Sequence, residues 1–287
     1  MGKISVVINT LNNEDEISSA VSSVKSLADE VVVCDMESSD NTSEIAKKLG
    51  AKVYSHKKEK YVELVRNFMV SKAIGDWILI LDPDEELQGS LIKKLKEVIK
   101  KPEADYFRIP RKNIIFGKWM KHSRWWPDYN IRFFKKGMVI WNEIIHSVPM
   151  TQGKGTDLPE KEEYAIIHSN YKSVSSYFER MLRYTDAQRD NLLKAGYVFS
   201  WKDLIKKPLD EFLSRYFEGE GYKDGIHGLA LSLLQSFSEL TLYLKVWEKQ
   251  GFEEKNLGKS EIKIELNKAI YDVKWWLRKK LSWLKFL

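Results

Sequence analysis

Short apolar runs and stripes of helical spacing alternate along the first hundred residues. "ISVVIN" (4–9) and "EVVVCD" (30–35) are β-branched, apolar on both faces and end in polar residues, as buried parallel strands do. "AKVYSH" (51–56) and "DWILILD" (76–82) repeat the pattern. Between them lie "EDEISSAVSSVKSL", "SDNTSEIAKKLG" and "VELVRNFMVSKAIG", whose apolar residues recur every three or four positions. The middle segment opens on capping residues and stops at Gly50, a common helix exit. Strand and helix in alternation predict an α/β protein with a doubly wound sheet. Ligands of such sheets bind beyond the carboxyl ends of the strands, which brings Asn9–Thr10, Asp35 and Asp82 to one crevice. No GxGxxG follows the first strand and no GxxxxGK[ST] occurs anywhere, which argues against a dinucleotide fold and a P-loop ATPase.

Beyond a charged helix (90–101), "ADYFRIPRKNIIFG" reads as extended, and "YNIRFFKKGMVIW" as a hairpin turning at Lys136–Gly137. Between them "KWMKHSRWWPD" is dense in aromatic and basic residues. It either covers the sheet or walls a substrate site, since indoles stack on sugar rings while Arg and Lys hold phosphates. From Ser173 the pattern turns helical, first in "SVSSYFERMLRYTDAQRDNLLKAG", then in "GYKDGIHGLALSLLQSFSELTLYLKVWEK". In the second, Ile226, Leu229, Ala230, Leu233, Leu234, Phe237, Leu240, Leu244 and Trp247 form one stripe, with Ser232, Gln235 and Glu239 off it. Glu239, Lys245 and the serines make this segment amphipathic and set it against a membrane span. "KWWLRKKLSWLKFL" (274–287) is a basic, tryptophan-rich amphipathic helix. It suits the headgroup layer of an anionic membrane, or else docking on the body of the protein.

Composition narrows the partners. The chain has 287 residues, 43% of them hydrophobic, enough for one large α/β domain with an appendage. A net charge of +6 fits an anionic partner: a phosphate-bearing small molecule, a nucleic acid or an acidic membrane. The basic residues are spread over helices that also carry Glu, and their one concentrated patch is the tryptophan-rich C-terminus, which favours membrane over nucleic acid. The single cysteine, Cys34, excludes an internal disulfide framework and suits a reducing compartment. "MGKISVVINT" lacks a secretory pattern, and Val6 stands where a myristoylation motif wants Ser or Thr. The expectation is a cytoplasmic protein, peripheral on the inner face of the cell membrane, with amphipathic helices that also leave room for a homo-oligomer.

The chemistry concentrates in "ILILDPDEEL" (78–87), where a buried strand runs into Asp82, Asp84, Glu85 and Glu86. Asp-x-Asp at such a point supplies hard oxygen ligands for Mg2+ or Mn2+, whose open positions take diphosphate oxygens. Acidic turns after strands are frequent, so the motif needs its context. Asp35 also ends a strand, and two acid-tipped strands facing one pocket repel unless a cation or donor groups sit between them. Arg66–Asn67, in the helix before the Asp82 strand, offers a guanidinium for phosphate or nucleobase. Together these parts point to a sugar nucleotide.

The run "SVVINTLNNEDEISSAVSSVKSLADEVVVCDMESSDNTSEIAKKLGAKV", then "RNF" and "GDWILILDPDEEL", resembles the family 2 glycosyltransferases of GT-A fold. The likeness is greatest to the lipopolysaccharide-core β-1,4-glucosyltransferase group. It continues through "WWPDYNIRFFKKG", "IIHS", "AIIHSNYKSVSSYFERMLRYTDAQ" and "GYKDGIHGLALSLLQSF", to about residue 247. The resemblance implies a GT-A domain, a doubly wound, Rossmann-like mixed sheet, over residues 1–172. Its nucleotide-sugar half would span 1–100 and its acceptor-side half 101–172, with a helical C-terminal region at 173–287. It implies inverting, metal-dependent transfer of a sugar, glucose or a similar hexose, from a UDP-sugar to a glycan or lipid-linked acceptor. By the same resemblance Thr10 and Glu14 border the nucleotide, Asp35 accepts from the uracil N3–H and Arg66 lies near base and diphosphate. Asp82 faces ribose and donor sugar, Glu85 contacts the donor sugar or supports the metal pair, Asp84 binds the metal and His168 completes its site. His168 also reads as a structural histidine at a strand end.

The catalytic base is where the resemblance breaks. Inversion needs a carboxylate or imidazole to take the acceptor hydroxyl's proton. Where the family has Val-His-Glu this chain has Ile145-His146-Ser147, and serine does not serve. Glu143, Asp128 and His146 are the candidates, with Glu85 a fourth. Two other functions stay open on sequence: a nucleotidyltransferase, which usually shows a Gly-rich basic loop where this chain has "NTLNNEDE", and a catalytically inactive, membrane-bound sugar-nucleotide-binding or scaffold protein.

Overall fold

The computed structural model describes residues 2–59, 62–142, 149–254 and 256–280. It divides into two compact units, residues 1–114 with 126–170, and residues 115–125 with 171–287.

The first unit is built on the parallel strands β1 (Ile4–Thr10), β2 (Glu30–Asp35), β3 (Lys52–Ser55) and β4 (Trp77–Leu81). The connecting helices are α1 (Ile17–Val24), α2 (Thr42–Lys48) and α3 (Glu63–Lys72). Alternate residues of each strand feed opposite layers, which is why the strands are apolar on both faces. Val6, Ile8, Leu79 and Leu81 pack with Ile17, Val21 and Val24 of α1 and with Leu91 and Leu95 of α4 (Gly89–Lys100). Val7, Val32, Ile78 and Ile80 pack with Val65 and Met69 of α3 on the other side. Each such side chain, fully removed from water, stabilises the fold by about 1.5–3 kcal/mol. Cys34 belongs to that second layer; burial, with Asp35 adding to it, pushes its thiol up to about 12, so it packs as a small apolar residue and stays a thiol.

The sheet becomes mixed beyond β4. The remaining strands are β5 (Glu85–Leu87), β6 (Tyr106–Ile115), β8 (Asp128–Lys135), β11 (Gly155–Asp157) and β12 (Ile166–Tyr171), while β7 (Lys118–Trp119) lies in the second unit. The sheet order is β3-β2-β1-β4-β8-β6-β12-β5, with β8 antiparallel to β4 and β6, and β12 antiparallel to β5. The fold is therefore the doubly wound α/β arrangement expected of GT-A. One local expectation is corrected. The chain turns at Lys136–Gly137, with Gly137 at φ 90 and Met138 N–H donating to Lys135 O, but the two arms do not pair. β8 instead inserts into the large sheet, and β9 (Val139–Ile140) pairs with β10 (Met150–Thr151) in a separate ribbon.

The second unit is helical: α5 (Val174–Lys194), α6 (Asp203–Leu213), α7 (Ile226–Lys249) and α8 (Lys259–Lys280). Ser173 caps α5 reciprocally, taking the Ser176 N–H at 3.1 Å while Ser176 Oγ takes the Ser173 N–H at 3.1 Å. The stripe read along α7 is not its buried face. Leu231, Leu242, Tyr243 and Val246 are buried, whereas Ile226, Leu233, Phe237 and Leu244 are exposed. Ser232, expected off the apolar face, is fully buried because its Oγ donates to Gly228 O at 2.7 Å and meets Ser123 Oγ at 3.3 Å. Gly228 permits this packing: a Cβ there would lie 1.8 Å from Gly221 O. α7 carries apolar residues around most of its circumference, so spacing alone does not mark the inward side. Among the described residues no helix is long and apolar enough to cross a membrane.

Candidate active site

The site is assembled in the first unit by strand register. β4 delivers Asp82 one residue past its end, and the chain turns at once into β5, with the Glu85 N–H donating to Asp82 O at 3.0 Å. In the β5–β12 pairing His168 stands opposite Glu85, and the Ser169 N–H donates to Asp84 O at 2.9 Å. Asp84 and His168 thus come together, with Nε2 of the histidine 3.5 Å from Asp84 Oδ2. On the neighbouring strands Arg111 of β6 stands opposite Asp128 of β8.

Ion pairs join these residues into one buried network. Arg132 of β8, 2% exposed, reaches Asp82 Oδ2 at 2.5 Å and Glu85 Oε1 at 2.6 Å. Glu85, fully buried, also accepts the Asp82 N–H at 2.9 Å and lies 3.5 Å from Arg111 Nη1. Arg111 then grips Asp128 Oδ2 through Nη2 at 2.6 Å and Nε at 2.8 Å. Asn113 Nδ2 donates to the same oxygen at 3.1 Å, and Asn130 Nδ2 to Oδ1 at 3.1 Å. Asn113 Oδ1 faces His168 Nδ1 at 2.6 Å, and with the Asp84 contact this leads back to the acidic turn.

Charge in this network is set by burial against guanidinium. Burial opposes ionisation of Asp82, yet Arg132 and Arg66 overcome it and hold the carboxyl well below the usual range. Burial likewise resists charge on Asp128, and Arg111 with Asn113 holds it low. Glu85 goes the other way: burial, with Asp82 adding to it, raises its carboxyl in spite of Arg132. Burial also disfavours the Arg132 cation, but Asp82 and Glu85 keep it charged. Its Nε and Nη1 are buried without a hydrogen-bond partner among the described residues.

Of the remaining sequence-expected residues, Arg66 joins the network through Asp82, while Thr10, Asp35 and Glu14 lie at the ends of β1 and β2 and in the loop that follows β1. Arg66 lies 3.3 Å from Asp82 Oδ1 and over the Trp141 ring, 5.6 Å from its centroid. Asn67 holds Trp141 in place from both sides, donating to its carbonyl at 2.8 Å and accepting its N–H at 2.9 Å. Thr10 and Asp35 are register partners at the ends of β1 and β2. Asp35 Oδ2 accepts the Ser38 N–H at 3.2 Å, while Asp35 Oδ1 and Asn9 Oδ1 are buried without a hydrogen-bond donor among the described residues. Thr10 Oγ1 is turned to Asn13 Oδ1 at 3.1 Å. Glu14 is exposed, and its Oε2 takes both the backbone and side-chain N–H groups of Asn41 at 3.0 Å. Glu143 and His146 lie outside the described residues.

Arg132, Arg111 and Asn113 were missed in the sequence, although a signal was there. Asp128, Asn130 and Arg132 share one parity of β8, and Arg111 and Asn113 share one parity of β6 between the buried Ile109 and Ile115, so each strand puts a run of alternate polar residues on one face. A metal would find two side chains here, the Asp84 carboxylate and the His168 imidazole, and this donor set fits a divalent cation whose other positions go to phosphate and water. Among the described residues no group of three or more His, Cys, Asp or Glu side chains is placed to hold one.

The family model for glycosyl transferase family 2 matches residues 5–152. An uncharacterized glycosyltransferase of Rickettsia typhi is 30% identical over 258 residues, covering 86% of this chain and 88% of that protein. Among solved structures, S. aureus TarS (residues 1–349) in complex with UDP-GlcNAc is 15% identical, with a TM-score of 0.46 over 87% of this chain and 92% of that one. Glucosyl-3-phosphoglycerate synthase of Mycobacterium tuberculosis, in complex with Mn2+, UDP and glucosyl-3-phosphoglycerate, is 16% identical, with a TM-score of 0.42 over 69% and 82%. The strand ends gather the polar residues of an α/β fold, and the chain belongs to glycosyl transferase family 2.

Proposed function

We propose that this glycosyltransferase moves a hexose, glucose or one like it, from a UDP-sugar to a glycan or lipid-linked saccharide with inversion at the anomeric carbon. The observation that carries this reading is the convergence of Asp82, Arg66 and the Asp84–His168 pair at the carboxyl end of β4. Asp35 Oδ1, buried and without a hydrogen-bond donor among the described residues, suits the single N3–H of a uridine's uracil. Arg66, stacked on Trp141, serves the diphosphate, and Asp82, held ionised, faces the hydroxyls of ribose and sugar. Mg2+ or Mn2+ held by Asp84 and His168 would neutralise charge on the departing diphosphate. The oxygens of Asp128 already accept from Arg111, Asn113 and Asn130, so the base role passes to Glu143 or His146. The nucleotide-sugar half is residues 1–100 and the acceptor half 101–172.

The membrane reading applies to 274–287, of which 281–287 lie outside the described residues, and its described part belongs to α8. Its residues Lys263, Lys268, Lys274, Arg278 and Lys279 alternate with the exposed Ile264, Ile270, Tyr271 and Trp275, a composition suited to anionic headgroups. It places the enzyme on the inner face of the cell membrane, where a lipid-linked acceptor such as a lipopolysaccharide core would be met. The test is UDP release from a panel of UDP-hexoses with Mn2+ and lipid-linked acceptors. Asp84→Ala is expected to lower turnover by about 10²–10⁴, the several kcal/mol a metal contributes to leaving-group charge. No turnover with any UDP-sugar would leave a sugar-nucleotide-binding protein instead.

A further inference from the structure

We propose that Asn113 and Asp128 are positioning residues that fix which nitrogen of His168 carries its proton, so that Nε2 presents a lone pair to the cation site beside Asp84. This rests on the reading of Asp84 and His168 as the cation's ligands. An ionised carboxylate only accepts hydrogen bonds, and Arg111 grips Asp128 Oδ2 through two nitrogens. The Asn113 side chain must therefore turn its NH2 to that oxygen, at 3.1 Å, which leaves its carbonyl oxygen facing His168 Nδ1 at 2.6 Å. A carbonyl accepts, so Nδ1 is the donor. In the neutral ring Nε2 then carries a lone pair, 3.5 Å from Asp84 Oδ2. Two acceptors facing each other at that separation repel unless a cation or a proton lies between them.

The setting makes the choice stringent. Asn113 is fully buried and His168 is 5% exposed, so bulk water does not substitute for either partner. Asn130 occupies the other oxygen of Asp128, which prevents the carboxylate from turning away. The three residues lie on adjacent strands β6, β8 and β12, whose register is rigid on the scale of a hydrogen bond. Hydrogen-bond partners of this kind orient a ligating imidazole and raise its basicity, and their loss costs about 10–100-fold in metal affinity.

The test uses the full chain labelled with 15N-histidine, without added cation, His168 being assigned by its absence in His168→Gln. The long-range 1H–15N spectrum should show a protonated Nδ1 and an unprotonated Nε2. Asn113→Ala should move the proton to Nε2, at least in part, and weaken Mn2+ binding in the presence of UDP about 10–100-fold, read from the free-ion signal by EPR. Asp128→Asn, which lets the Asn113 amide turn over, should give a mixture of the two forms. A protonated Nε2 in the unsubstituted protein overturns the proposal, and this readout holds even where Asn113→Ala fails to fold. So does unchanged Mn2+ affinity in a folded Asn113→Ala. Should Asp84→Asn and His168→Gln both leave Mn2+ affinity unaltered, the cation reading fails and this role falls with it, whatever the tautomer.

Discussion

The sheet unit hides its charges and the helical unit shows its apolar side chains. Arg132 and Glu85 are 2% and 0% exposed, whereas Ile226 of α7 and Tyr271 of α8 are 73% and 68% exposed. Both arrangements are costly. A buried ion loses several kcal/mol of hydration that only well-placed partners offset, and an exposed apolar side chain forgoes the gain of burial. The difference teaches how each unit disposes of its costly groups: the sheet unit pairs its buried charges with one another, while the helical unit leaves apolar side chains of α7 and α8 at the surface.

The largest expected effect comes from breaking the buried side of this contrast. Arg132→Met strands the fully buried Glu85 and leaves the half-buried Asp82 with Arg66 alone, and a buried pair broken by removal of one partner costs about 3–5 kcal/mol. Urea unfolding should show that loss, and adding Glu85→Gln should recover part of it. Equal stability of the single and double variants would mean that water reaches the network. UDP affinity should fall in the single variant, since Asp82 loses a cation that orients it.

The α8 surface offers the next test. Each Lys or Arg near an anionic membrane contributes about 1 kcal/mol, so Lys274→Gln with Arg278→Gln should weaken binding to phosphatidylserine-containing vesicles by about 2 kcal/mol, roughly 30-fold. UDP binding should be unchanged, and the vesicle effect should shrink as salt is raised. Sedimentation indifferent to both substitutions would transfer the surface to a protein partner.

Much of the sheet unit was legible in the sequence because its strands obey one rule, burial on both faces, and its acids sit at strand ends where the fold must place them. Asp35 and Asp82 were singled out this way and Asp84 by its place in the same acidic turn, whereas His168 entered only through the family resemblance. The polar faces of β6 and β8 were not legible, because their parity gains meaning only once β8 is known to insert between β4 and β6. Reading "YNIRFFKKGMVIW" as a hairpin concealed that insertion. In α7 the difficulty was the reverse: with apolar residues nearly all round, spacing did not decide between Leu233, which is exposed, and Leu231, which is buried. Ser232 looked out of place inside until Gly228 and Ser123 gave its hydroxyl partners.

The smallest effect sharpens the same contrast through pH. Burial, with Glu211 adding to it, raises the carboxyl of Glu239 on α7. A raised folded value stabilises the protein below the ordinary glutamate range, and that contribution is lost as pH rises through the folded value. Asp128 has the opposite sign. Its depressed value stabilises above the ordinary aspartate range and the benefit is lost as pH falls. Glu239→Gln should therefore leave the melting temperature near pH 4 almost unchanged and raise it modestly at pH 8, while Asp128→Asn should lower it at pH 8 and matter less as acid protonates the native carboxylate. The two curves should diverge with increasing pH. If Glu239→Gln instead lowers the melting temperature at pH 8, its carboxylate is held by a partner in solution, as the buried Asp224 of the same unit is by His122 at 3.0 Å.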